Sequence, residues 1–222
     1  ISFIISFLLT LPLPADPPRQ ANEHKQKERT FFQSVRVITK HAILQGEVLG
    51  ALSINFLLPS NTFILLNRIA ETGAKASMFG LANFFEAAGA VTAALTAAII
   101  AVQLRRIRAS QLMAPIALAL LLCLTTGIWA TIIPLTIVTA LVTVYNIILF
   151  SQLQREIPRE KMGRVIAVVT TSSAALMPLG NLVFSKLSTT IPTHMLIWVT
   201  SIALLAAGLV IKIGNRDHGG SV

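Results

Sequence analysis

What most constrains this chain is a succession of apolar runs, parted by short polar breaks, each close to the roughly 20 residues that a helix needs to cross bilayer hydrocarbon. Six runs fit that length, at about residues 41–58, 76–102, 111–128, 132–152, 165–187 and 193–213. Of 222 residues, 54% are hydrophobic and only 12% charged, and the mean hydropathy of +0.74 exceeds what a soluble domain needs to fill a core. Short alternating segments of the kind that build membrane β-barrels do not dominate. The expected fold is an all-α membrane protein, a six-helix transmembrane bundle.

Charge sets the orientation. The break between the fourth and fifth runs carries Arg155, Arg159, Lys161 and Arg164 against only Glu156 and Glu160, so the positive-inside rule places it in the cytoplasm. With alternate breaks assigned to opposite sides, fifteen of the 18 Lys and Arg residues fall on that side. The other side holds Arg68, Lys75 and Lys186. This predicts a multi-pass protein of the cell (inner) membrane with a cytoplasmic C-terminus. The formal charge of +9 is read as topogenic and not as a nucleic-acid footprint, because it tracks loops instead of forming one basic stripe.

The segment before the first run divides in two. Residues 1–14 are apolar but too short to span, and they lack the charged leading region of a signal peptide, so they read as the end of a truncated transmembrane helix. Residues 15–40 are polar and basic and read as a cytoplasmic linker, with Phe31, Phe32, Val35 and Ile38 suggesting an interfacial helix near its end. Residues 41–213 form the bundle, and 214–222 a cytoplasmic tail. Pro59, Asn61, Asn67 and Gly73 predict that 59–75 leaves the membrane as a loop.

Inside the runs, polar side chains are few, and each one asks for a reason. A charge at mid-bilayer depth costs about 2.5–3.5 kcal/mol on insertion scales and normally faces a bundle interior or a wet cavity. Glu86, with Asn83 one turn earlier, is the first candidate for a proton-coupling or cation-attracting group; a structural hydrogen bond to a neighbouring helix is the alternative. Glu47 is a second candidate, or else a carboxylate snorkelling to the cytoplasmic interface near Lys40. Asn55 shares its run.

The fourth run bears Thr136, Thr139, Thr143 and Asn146 on one face, where interhelical bonding and cavity lining are both open readings. The fifth carries Thr170, Thr171, Ser172 and Ser173, then Met177, Pro178 and Gly180, where a bend can expose carbonyls. The third and sixth runs have no comparable stripe, so four helices are expected to turn polar atoms inward while two act as lipid-facing support. Cys123 is the only cysteine and the four histidines have no metal-ligand spacing. There is no glycine-rich phosphate loop. No metal, cofactor or enzyme activity is therefore expected.

The loop QREIPREKMGRV (Gln154 to Val165), followed by small residues and MPLG (Met177 to Gly180), resembles the tenth and eleventh helices of major facilitator superfamily transporters, closest to the macrolide-efflux type of drug exporter. The likeness extends over the chain as a truncated sixth helix, a linker between halves, and helices seven to twelve. QLRRIRAS (Gln103 to Ser110) lies where the family often carries an acidic and arginine-rich turn; here only the arginines remain.

The resemblance implies a secondary active transporter, of which this chain is the C-terminal half. Its partners would be the lipid bilayer, the missing N-terminal half, protons and a small amphiphilic substrate exported by alternating access. It also implies cytoplasmic gating roles for Arg105, Arg106, Arg108, Arg155, Glu156, Gly163 and Arg164. A non-transporting six-span scaffold or assembly subunit is the alternative of a different class.

Overall fold

The computed structural model describes residues 42–217, together with Ile38. Residues 1–14, nearly all of the linker and positions 218–222 lie outside the described residues. The described chain is helical, with no strand. We number the helices α1 (Ala42–Leu57), α2 (Ser60–Thr72), α3 (Ser77–Ile99), α4 (Ala101–Leu104), α5 (Met113–Leu121), α6 (Trp129–Glu156), α7 (Arg159–Thr190) and α8 (Thr193–Asp217). Short 3-10 turns, Ala109–Leu112 and Leu122–Leu124, extend α5 at both ends.

Five helical stretches are long and apolar enough to cross a membrane: Leu44–Thr72, Ser77–Ile99, Trp129–Glu156, Arg159–Thr190 and Thr193–Gly214. The third expected span is shorter. Its helical turns run only from Ala109 to Leu124, roughly 27 Å at 3-10 and α rises, a little under the hydrocarbon thickness of about 30 Å. Extended backbone at Arg108 and Thr125, and a positive φ of 117° at Gly127, bound it.

The expected loop at 59–75 is instead mostly helix. Pro59 keeps helical dihedrals (φ −54°, ψ −25°), and a proline at the start of a helix removes an N–H that would be orphaned there in any case. Asn61 and Asn67 therefore sit inside α2. Only Gly73 acts as a breaker: at φ 63° it closes α2, and the Ala74 N–H reaches back to Ile69 O at 3.1 Å.

The basic break is similarly compressed. Only Ile157 and Pro158 separate α6 from α7, both with extended ψ, as the residue before a proline prefers. Arg159, Glu160, Lys161 and Arg164 thus belong to the first turns of α7. At the other terminus α8 runs on to Asp217, past the expected end of the bundle.

Burial follows helical spacing. On α6 the stripe Leu135, Val138, Val142, Tyr145 and Leu149 is buried, while Thr136, Thr139, Thr143 and Asn146 are half-buried beside it. Glycine lets neighbours approach. A Cβ on Gly180 of α7 would collide with the Phe56 carbonyl of α1, one on Gly50 would collide with the Tyr145 hydroxyl, and one on Gly89 would stand 2.7 Å from Thr136 Cγ2. In α3, Ala82 and Ala97 are buried and Gly89, Ala90 and Ala93 partly covered, so a narrow strip of small residues carries its packing on α6.

Burial within the bundle is uneven from helix to helix. The α5 stripe Met113, Ile116, Ala117 and Leu120 is fully enclosed, and α8 buries Thr200 and Ser201. By contrast α3 is the least covered long helix and α7 the next. Helix α7 packs chiefly on α1 and α2 and only lightly on α6.

Candidate functional site

The two ends of the bundle are held differently. At the end carrying the basic turns, Glu47 of α1 is fully buried. It accepts from the Ser110 backbone N–H at 2.6 Å and the Ser110 hydroxyl at 2.9 Å. A snorkelling carboxylate is thereby replaced by one that satisfies an orphan N–H in the turn leading into α5. The Tyr145 hydroxyl donates to Glu47 O at 2.6 Å, so α1, α5 and α6 meet there.

Around the same end, Gln152 Nε2 donates to Ile107 O at 3.2 Å, and Arg155 donates through Nη1 to Arg105 O at 3.4 Å and through Nε to Ser151 O at 3.2 Å. The end of α6 therefore grips the arginine-rich turn by its backbone. Arg105, Arg106, Arg108, Glu156, Gly163 and Arg164 are exposed, and no ion pair joins them among the described residues.

The opposite end carries a second network, which reading the sequence missed. Arg68 is buried and donates through Nη2 to Cys123 O at 2.9 Å and through Nη1 to Glu71 Oε2 at 2.9 Å. The Thr193 hydroxyl donates to Glu71 Oε1 at 2.5 Å, and Asn67 Nδ2 donates to Ser188 O at 3.1 Å. Four elements, α2, α5, α7 and α8, are stitched together. Taking 59–75 as a loop hid this, although Arg68 and Glu71 stand three residues apart, the spacing of an ion pair on a helix.

Between the ends lies the α3–α6 seam. Glu86, half-buried on α3 beside the small-residue strip, accepts from the Thr139 hydroxyl of α6 at 3.2 Å. The Thr143 hydroxyl donates to Thr139 O at 2.9 Å one turn further along, and Asn146 continues the stripe, half-buried. Asn83 does not join them: it is exposed and its amide donates to Phe79 O at 2.7 Å in its own helix. Asn55 and Thr170 likewise bond back to Ala51 O and Ile166 O. Ser173 is buried on α7, and its hydroxyl has no partner among the described residues. Met177 is 38% exposed.

The structure thus brings Glu86, Thr139, Thr143 and Asn146 into one seam and leaves Glu47, Asn55, Asn83, Thr170, Ser173 and Met177 outside it. An aromatic group borders the seam: Phe85 stands edge-on to Trp129 at 5.9 Å and to Phe84 at 5.8 Å. Among the described residues no cluster of three metal-capable side chains occurs. Comparison with protein-family models, curated proteins and solved structures returned no match for this chain. What the fold itself defines is a multi-pass helical membrane protein, with one carboxylate held between two of its spanning helices.

Proposed function

We propose that the chain is one helical half of a secondary active transporter of the major facilitator type, exporting an amphiphilic, drug-like compound in exchange for protons across the cell membrane. The observation that carries this reading is the single bond from Thr139 to Glu86. Glu47 has two donors for its buried carboxylate; Glu86, among the described residues, has one. An ionisable group at membrane depth with so little compensation is suited to taking up and releasing a proton as its surroundings change.

Alternating access needs a second bundle to rock against. The sparse cover on α3 and α7 gives such a partner a place to pack. Exposed Phe84, Phe85 and Met177 offer apolar surface for a bulky ligand.

The test is substrate-driven proton movement in vesicles reconstituted with the full-length protein. Wild type should show it, and Glu86→Gln should lose it while still folding. Unchanged coupling in Glu86→Gln would remove the assigned role of Glu86. Absence of any coupled movement in wild type would overturn the transporter reading and favour the scaffold.

A further inference from the structure

A groove of about 800 Å³ opens between the start of the α5 segment and the last turns of α8, and none of its lining residues belongs to the α3–α6 seam. Its lining changes character along its length. Arg108, Ser110, Gln111 and Lys212 stand at one end, while Ala114, Leu205, Gly208 and Leu209 form the rest. Leu205 and Lys212 are seven residues apart on one helix, about 10 Å along its axis. The polar end therefore lies at the level of the basic turns, and the apolar floor runs from it toward the membrane interior.

Among the described residues neither Arg108 nor Lys212 makes an ion pair. Among the described residues the only ion pair joins Arg68 and Glu71 at the other end of the molecule. Glu47 makes no ion-pair contact with Arg108; its two oxygens accept from Ser110. Gln111 uses its carbonyl oxygen on the Arg108 N–H at 3.2 Å, and among the described residues its amide donors have no acceptor.

The geometry points to an anionic phospholipid as the occupant, its phosphate between Arg108 and Lys212 and one acyl chain along Ala114, Leu205, Gly208 and Leu209. A free phosphate would match the cations but not the floor, and a zwitterionic lipid would match the floor but draw less from two cations. Basic recesses between spanning helices on the cytoplasmic side suit such headgroups in general.

The experiment is native mass spectrometry of the purified protein in detergent, with phosphatidylglycerol or phosphatidylcholine of the same acyl chains. Wild type should retain phosphatidylglycerol more strongly, on the order of 10- to 30-fold for two cations near an anionic group. Arg108→Gln/Lys212→Gln should lose that preference, whereas Arg159→Gln/Lys161→Gln, with the same loss of charge elsewhere on the basic end, should keep it. Inorganic phosphate at equal concentration should not displace the lipid. Equal retention of the two lipids by wild type, displacement by phosphate, or equal loss in both double variants would each overturn the proposal. The wild-type comparisons do so without relying on any variant's folding.

Discussion

At the scale of single residues, the two intramembrane glutamates divide by their partners. Glu47 is fixed by both donors of Ser110, whereas Glu86 meets a single hydroxyl across a helix seam. Replacing Thr139 with Val keeps the volume and removes that hydroxyl. Interhelical hydrogen bonds in membranes average about 0.6 kcal/mol and reach about 1.7, so Thr139→Val should lower resistance to unfolding by roughly 0.5–1.5 kcal/mol in a denaturant titration in micelles. Glu86 and the α6 stripe were legible in the sequence because charge in an apolar run and spacing by three and four are local signals. The pairing of Glu86 with Thr139, and not with Asn83, was not legible: it depends on which flank of α3 its small residues lay against α6.

At the scale of elements, close approach at glycine sets the helix pairs. Gly180 places α7 directly on the Phe56 carbonyl of α1, and backbone cannot yield as a flexible side chain can. Gly180→Val should therefore force the two helices apart at a cost of about 1–3 kcal/mol or more, read as a lower midpoint in thermal unfolding of the purified protein. Gly163→Val, where an added Cβ meets nothing within 4 Å, is the matched control and should change the midpoint little. The sequence exposed the span order but misjudged two boundaries for physical reasons. Pro59 reads as a breaker although a proline at the start of a helix costs little, and the third run, apolar to residue 128, ends as helix at Leu124, ahead of the extended Thr125 and the positive φ of Gly127. Nor could composition rank α3 as the least covered helix, since its alanines pack well along one narrow strip and leave Phe84, Val91, Leu95 and Ile99 outward.

At the scale of the whole molecule, the basic turns share one end with Glu47, while Arg68, Glu71 and Thr193 tie the other. The positive-inside rule would assign the basic end to the cytoplasm: in that orientation a cysteine at position 160 should react with a membrane-impermeant thiol reagent from the cytoplasmic side alone, and reaction only from outside would invert the bundle. If Glu86 exchanges protons as proposed, water must reach the α3–α6 seam around it. The most direct test is accessibility in a Cys123→Ser background, with single cysteines at 139, 143 and, as a control on the exposed apolar side of α8, 202. The impermeant reagent should modify positions 139 and 143 and spare 202; protection of both seam positions, or labelling no faster than at 202, would rule out a water-reached seam and with it the proposed role of Glu86.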